Sequence, residues 1–161
     1  MFGISKEEKF KKKFESITNS MVTLAFEYVA NDNKSVNGVY VFCSNEEDYI
    51  HFNAFFEIDG KLLKKHKVND TGRDYDVSDI TQTNFSKYGT EDLRKLVDIF
   101  SRYGKEPPTQ IKMEYYPKTG KFDCNLDYEL HYSNKNDKTA HDIAESWFNE
   151  LKLKIEFDKT M

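Results

Sequence analysis

Four histidines and two cysteines are the side chains best able to hold a transition metal: His51, His66, His131, His141, Cys43 and Cys124. A metal such as zinc needs several of these ligands to converge. Sequences commonly supply them as local pairs such as His-Glu-x-x-His or Cys-x-x-Cys. Neither pattern occurs, so the histidines are expected to be ordinary strand or surface residues and no metal is expected. The cysteines fall inside apparent strands and are expected to be buried, reduced thiols.

Carboxylates are harder ligands. Asp70, Asp74, Asp76 and Asp79 surround Gly72, and oxygen ligands around a sharp turn suit calcium, but the spacing departs from an EF-hand loop. A solvated acidic loop, or one that meets a basic partner, is the plainer reading. Glu57 with Asp59, and Asp127 with Glu129, stand two apart in apparent strands. Alternate strand side chains share a face, so each pair has the spacing to grip a divalent ion for phosphodiester cleavage. No base or lysine at a diagnostic spacing completes either pair.

The Gly-x-x-x-x-Gly-Lys-Ser/Thr phosphate cradle, the Gly-x-Gly-x-x-Gly dinucleotide turn and the Gly-x-Ser-x-Gly elbow are all missing, so neither a cofactor nor a catalytic residue is expected. Tyr115, Tyr116, Phe122, Tyr128 and Tyr132 have faces on which bases can stack. Without a basic sheet face they read as core and rim instead.

The elements that position these residues follow from periodicity. Ser5-Lys6-Glu7-Glu8 has capping-box form, and Phe10, Phe14 and Ile17 recur at helical spacing, which predicts a helix over about 5–19. Its other face carries Lys6, Lys9, Lys11, Lys12 and Lys13, read as a solvated helix face. Met21 to Ala30 and Val36 to Cys43 read as a hairpin across a polar tract. Tyr49 to Ile58 follows the acidic turn Glu46-Glu47-Asp48, and Asp59-Gly60 turns the chain back into a fourth strand within Lys61 to Val68.

Residues 69–89 read as a long loop with a short helical turn near Val77 to Ile80. Thr90 then caps a helix with Leu93, Leu96, Val97 and Phe100 on one side, ended by Gly104 and Pro107-Pro108. Thr109 to Tyr116 and Lys121 to Tyr132 form the clearest hairpin. The last helix carries Ile143, Ala144, Trp147, Phe148 and Leu151 on one side. The expected fold is α+β: an antiparallel sheet with N-terminal, middle and C-terminal helices packed on one of its faces. Phe26, Val41, Phe55, Phe100, Met113, Phe122 and Trp147 are the expected core.

A chain of 161 residues suits one domain, 1–161, able to bury about two-thirds of its unfolded surface. Thirteen Phe and ten Tyr supply that core. The formal charge of −4 gives no electrostatic reason to bind nucleic acid and suits a cationic partner better. The start, Met-Phe-Gly-Ile-Ser-Lys, carries no apolar run of signal-peptide length, and no stretch approaches a membrane span. The cytoplasm is therefore the expected location.

Glu106-Pro107-Pro108-Thr109, Ile111-Lys112-Met113, Gly120-Lys121-Phe122 and Leu126-Asp127-Tyr128 together resemble the YezG-type antitoxin family of bacterial immunity proteins. The match is sharpest over about residues 105–130; Pro108 stands where the family tends to have a large aromatic. The resemblance implies a stoichiometric inhibitor that binds the toxic C-terminal domain of a cognate secreted toxin inside the producing cell. A metal-dependent nuclease or other phosphoesterase, and a small regulatory binding module, are the alternatives. The partner surface is expected at Asp70, Asp74, Asp76 and Asp79, with Glu46, Glu47 and Asp48 assisting.

Overall fold

A computed structural model describes residues 3–160, with side chains described through Phe157. Helix α1 (Lys6–Tyr28) leads into strands β1 (Val36–Glu46), β2 (Tyr49–Ile58) and β3 (Lys61–Lys64). A 3₁₀ turn at Lys65–Lys67 and a loop precede helix α2 (Asp79–Arg102), strands β4 (Gln110–Tyr116) and β5 (Lys121–Asp127), and helix α3 (Ala140–Thr160). The five strands form one antiparallel sheet in the order β3-β2-β1-β4-β5, so the fold is α+β.

Two helices start earlier or run further than the sequence pattern predicts. Met21 to Ala30 is not a strand: Met21–Tyr28 continues α1, because Met21, Ala25 and Tyr28 extend the stripe begun by Phe10, Phe14 and Ile17. β-branched and aromatic residues disguised that stripe, and tertiary packing overrode their propensity. Similarly, α2 begins at Asp79, with Ser78 as its N-cap rather than Thr90. Phe85, Gly89, Leu93, Leu96 and Phe100 share one buried stripe, hidden in the sequence by the polar residues around Phe85.

Strand β1 is buried on both faces, and the helices occupy both faces too, which corrects the expectation of a single helical layer. Val39, Val41 and Cys43 join the core beneath α1 and α2. Tyr40 and Phe42 point the other way, into a second core with Trp147, Phe148 and Leu151 of α3. Val39 to Cys43 of β1 are apolar at every position, and a strand apolar at both parities needs cover on both sides. Trp147 lies 6.1 to 6.2 Å from the rings of Tyr40, Phe42 and Phe55. Thr139 and Asp142 cap the start of α3 reciprocally, at 2.9 and 3.2 Å.

Both tight hairpins use left-handed turn residues. Glu47 and Asp48 have φ of 49° and 67°, and Asp59 and Gly60 have 51° and 87°, the geometry that matches strand twist. Five of the seven expected core residues are buried, namely Val41, Phe55, Phe100, Met113 and Trp147. Phe26 is half-buried. Phe122 is 38% exposed, because β5 is an edge strand whose helix-facing side is only partly covered. No helix among the described residues is long and apolar enough to cross a membrane.

Candidate functional site

The acidic residues do not form one surface. Glu47 and Asp48 turn the chain at one end of the β1–β2 hairpin, where Glu46 pairs with Tyr49. The loop bearing Asp70, Asp74 and Asp76 lies at the other end: Arg73 forks onto Asp59 at 2.8 and 2.9 Å, and the Tyr75 hydroxyl donates to Asp32 at 2.6 Å. Ten residues of β2 separate the two groups, roughly 33 Å at strand rise.

Asp70, Asp74, Asp76 and Asp79 are all exposed. Asp76 is committed locally, accepting from the Ser78 N–H at 2.9 Å and the Thr81 hydroxyl at 2.7 Å at the start of α2. Arg73 stands among these acids and dilutes their charge.

Glu46 corrects the sequence reading most sharply. It is the last residue of β1, only 2% exposed, and no partner can reach it directly. Its carboxylate accepts from the N–H groups of His131, Tyr132 and Ser133 at 3.0, 3.3 and 3.1 Å, and from the Ser133 hydroxyl at 2.8 Å. Burial alone would raise its pKa, but these donors outweigh burial and hold the carboxyl below its usual range. Glu46 thus pins the segment that carries the chain from β5 to α3.

The paired carboxylates separate. Glu57 lies in β2 whereas Asp59 sits in the turn, held by Arg73. Asp127 ends β5, accepting from the Glu129 N–H and facing His131 Nε2, both at 2.9 Å, while Glu129 lies beyond the strand. The expected strand from Lys121 to Tyr132 therefore stops at Asp127. Among the described residues, no three His, Cys, Asp or Glu side chains gather to hold a metal ion.

The cysteines are free thiols, Cys43 buried and Cys124 half-buried. Burial pushes both pKa values up, that of Cys124 to about 11, which disfavours the nucleophilic thiolate.

The side chains gathered best for recognition lie along β5. Phe122 and Leu126 stand opposite Tyr115 and Ile111 of β4. They are 38% and 39% exposed, and Tyr128 and Leu130 just beyond are 46% and 43% exposed. A groove of about 480 Å³ runs between this stripe and α1, walled by Phe10, Phe14, Phe100, Leu126 and Tyr128. Among the described residues no strand pairs with the outer edge of β5. An apolar row beside an unpaired backbone edge suits protein contact.

Thr109 ties this end of the sheet together. Its N–H and hydroxyl donate to the Asp127 carbonyl at 2.8 and 3.0 Å, its hydroxyl reaches the Glu129 carbonyl at 2.6 Å, and its own carbonyl accepts from Asn45. Sequence reasoning assigned Phe122 and Tyr128 to core and rim and singled out neither Leu126 nor Leu130 for recognition. The only available signal was the mixed polarity of Lys121 to Asp127, unusual for a central strand.

The residues therefore define a sheet-and-helix domain with one bare apolar edge. A scan against protein-family models finds no match to this chain, and a search of curated proteins finds none either.

Proposed function

We propose that this chain is a cytoplasmic immunity protein of the antitoxin kind, which neutralises a cognate secreted bacterial toxin by stoichiometric binding to its toxic domain. The observation that carries this reading is the outer edge of β5. Phe122, Leu126 and Tyr128 stand exposed there, and all three fall within the segment that resembles the YezG-type family. A free strand edge offers main-chain hydrogen bonds for affinity, and the apolar row offers anchors for specificity.

The charge of −4 suits a toxin with a basic substrate groove, such as a nuclease. Exposed Asp70, Asp74 and Asp79 then contribute through steering rather than through buried contact.

The test is co-expression with the variable C-terminal domain of a large toxin encoded beside this reading frame. Growth rescued by a one-to-one complex supports the proposal, and Leu126→Asp should abolish both. Toxicity unrelieved by the chain would overturn it. Magnesium-dependent cleavage of DNA or RNA by the purified chain, lost in Asp127→Ala, would overturn it in favour of an enzyme.

A further inference from the structure

The outer edge of β2 is covered only in part. β3 pairs with Phe55 to Ile58, and the chain then leaves the sheet at the 3₁₀ turn. Ile50 to Asn53, paired with β1 on their inner side, therefore have no strand on their outer side among the described residues and border a cleft of about 480 Å³ whose other walls include Ser86 and Thr90 of α2 and His141 and Glu145 of α3.

The walls of this cleft are rich in donors and cations. Lys64 is neutralised by Glu145 at 2.8 Å, and His141 stands 3.7 Å from the same carboxylate. Lys65 has no such partner among the described residues: its ammonium donates to the Ser86 hydroxyl at 3.1 Å and lies 5.7 Å from the Phe85 ring. Burial pushes it below the usual lysine range.

The His51 ring lies 6.3 Å from that of His141, and its Nε2 is buried without a hydrogen-bond partner. Burial, then the charges of His141 and Lys65, depress its pKa. Lys64, Lys65 and His66 face this ring from the β3 side, and His141 and Glu145 from α3, while α2 contributes only the neutral Ser86 and Thr90. A half-buried cation without a counter-ion favours an anion beside it.

We propose that this cleft binds the phosphate group of a small molecule, with Lys65 and Ser86 holding its oxygens and His51 and His141 flanking it. Donors from four separate elements suit the terminal oxygens of a phosphate ester better than the two oxygens of a carboxylate. The volume lies within the range of small-molecule sites, leaving room for an organic body against Ile50. An added peptide strand fits less well, because the Ala54 N–H on this edge is already taken by Asn53 Oδ1 at 2.8 Å. This site is independent of toxin binding.

Inorganic phosphate and glycerol phosphate, titrated into the full chain, provide the test, with histidine ring signals followed by NMR against chloride and acetate at equal ionic strength. Saturable shifts are expected at His51 and His141, with the His51 titration moving to higher pH, whereas His131, paired with Asp127, stays unmoved. Lys65→Met should weaken binding about tenfold or more. His141→Gln, at an exposed position, should weaken it less and serves if the first variant fails to fold.

Absent saturation, equal shifts with acetate, or a matching response at His131 would overturn the proposal. So would unchanged affinity in folded variants. A response to a glutamate-rich peptide but not to phosphate would overturn it in favour of strand addition.

Discussion

Along β5 the sheet ends in a bare apolar row beside an unpaired backbone, whereas along β2 and β3 it ends in a polar cleft flanked by helices on both faces. The contrast comes from how far the helices reach across each face of the sheet. α1 and α2 pack on one face, while α3 packs on the other over β3, β2 and β1. On the α1–α2 face, which carries Phe122 and Leu126, the helices cover β5 only in part, and this last strand has no outer neighbour among the described residues. The β2 edge is sheltered, so Lys65 and His51 there are partly desolvated. Shelter suits a small ligand, and exposure suits a protein.

Loosening the helix that shelters the β2–β3 end should have the largest effect. Trp147→Ala should cost about 3 to 5 kcal/mol in denaturant unfolding, because it empties the centre of the α3 core. An unchanged midpoint would mean that α3 does not seal the β2–β3 half.

Next comes Glu46→Ala, which leaves several N–H donors of the β5–α3 segment without their acceptor and should cost about 2 to 3 kcal/mol. The same carboxyl gives a pH dependence of determined sign. Its folded pKa lies below the ordinary 4.5, so its contribution is complete above that value and is lost as pH falls through the folded pKa. Stability measured from neutral to acid pH should therefore fall less steeply in Glu46→Ala than in the unmodified chain.

Gly89→Ala tests how closely α2 approaches the sheltered strand. Alanine in an open helix position would stabilise by about 1 kcal/mol, but a Cβ here would overlap the buried Phe52 ring. The expected outcome is destabilisation by about 1 to 3 kcal/mol. A rise in melting temperature would show that α2 can lift off β2.

The smallest stability change belongs to the bare edge. Leu126→Asp should alter folding by about 0.5 kcal/mol or less while weakening toxin binding by about 2 kcal/mol or more. Calorimetry with the toxic domain and thermal melting of the chain alone would separate the two. Equal losses in both would assign Leu126 to the fold and remove the contrast between the edges.

Local chemistry made much of this architecture legible. The left-handed dipeptide Asp59-Gly60, the Ser5 cap, the Pro107-Pro108 stop and the apolar stripe of α3 each act within a few residues, where steric and hydrogen-bonding rules suffice. Met21 to Tyr28 has side chains that suit either a strand or a buried helix, and contact with α2 and the sheet decides between them. The functional surfaces were least legible. Glu46 looks like any turn acid until His131, Tyr132 and Ser133, 85 or more positions away, close over it. Phe122 reads as core until strand order leaves β5 without an outer neighbour. The sequence by itself determined the turns, the caps and the apolar stripe of α3, because those depend on near neighbours. Only the tertiary structure decided which edge stayed bare and which charges were sheltered, because burial is set by residues distant along the chain.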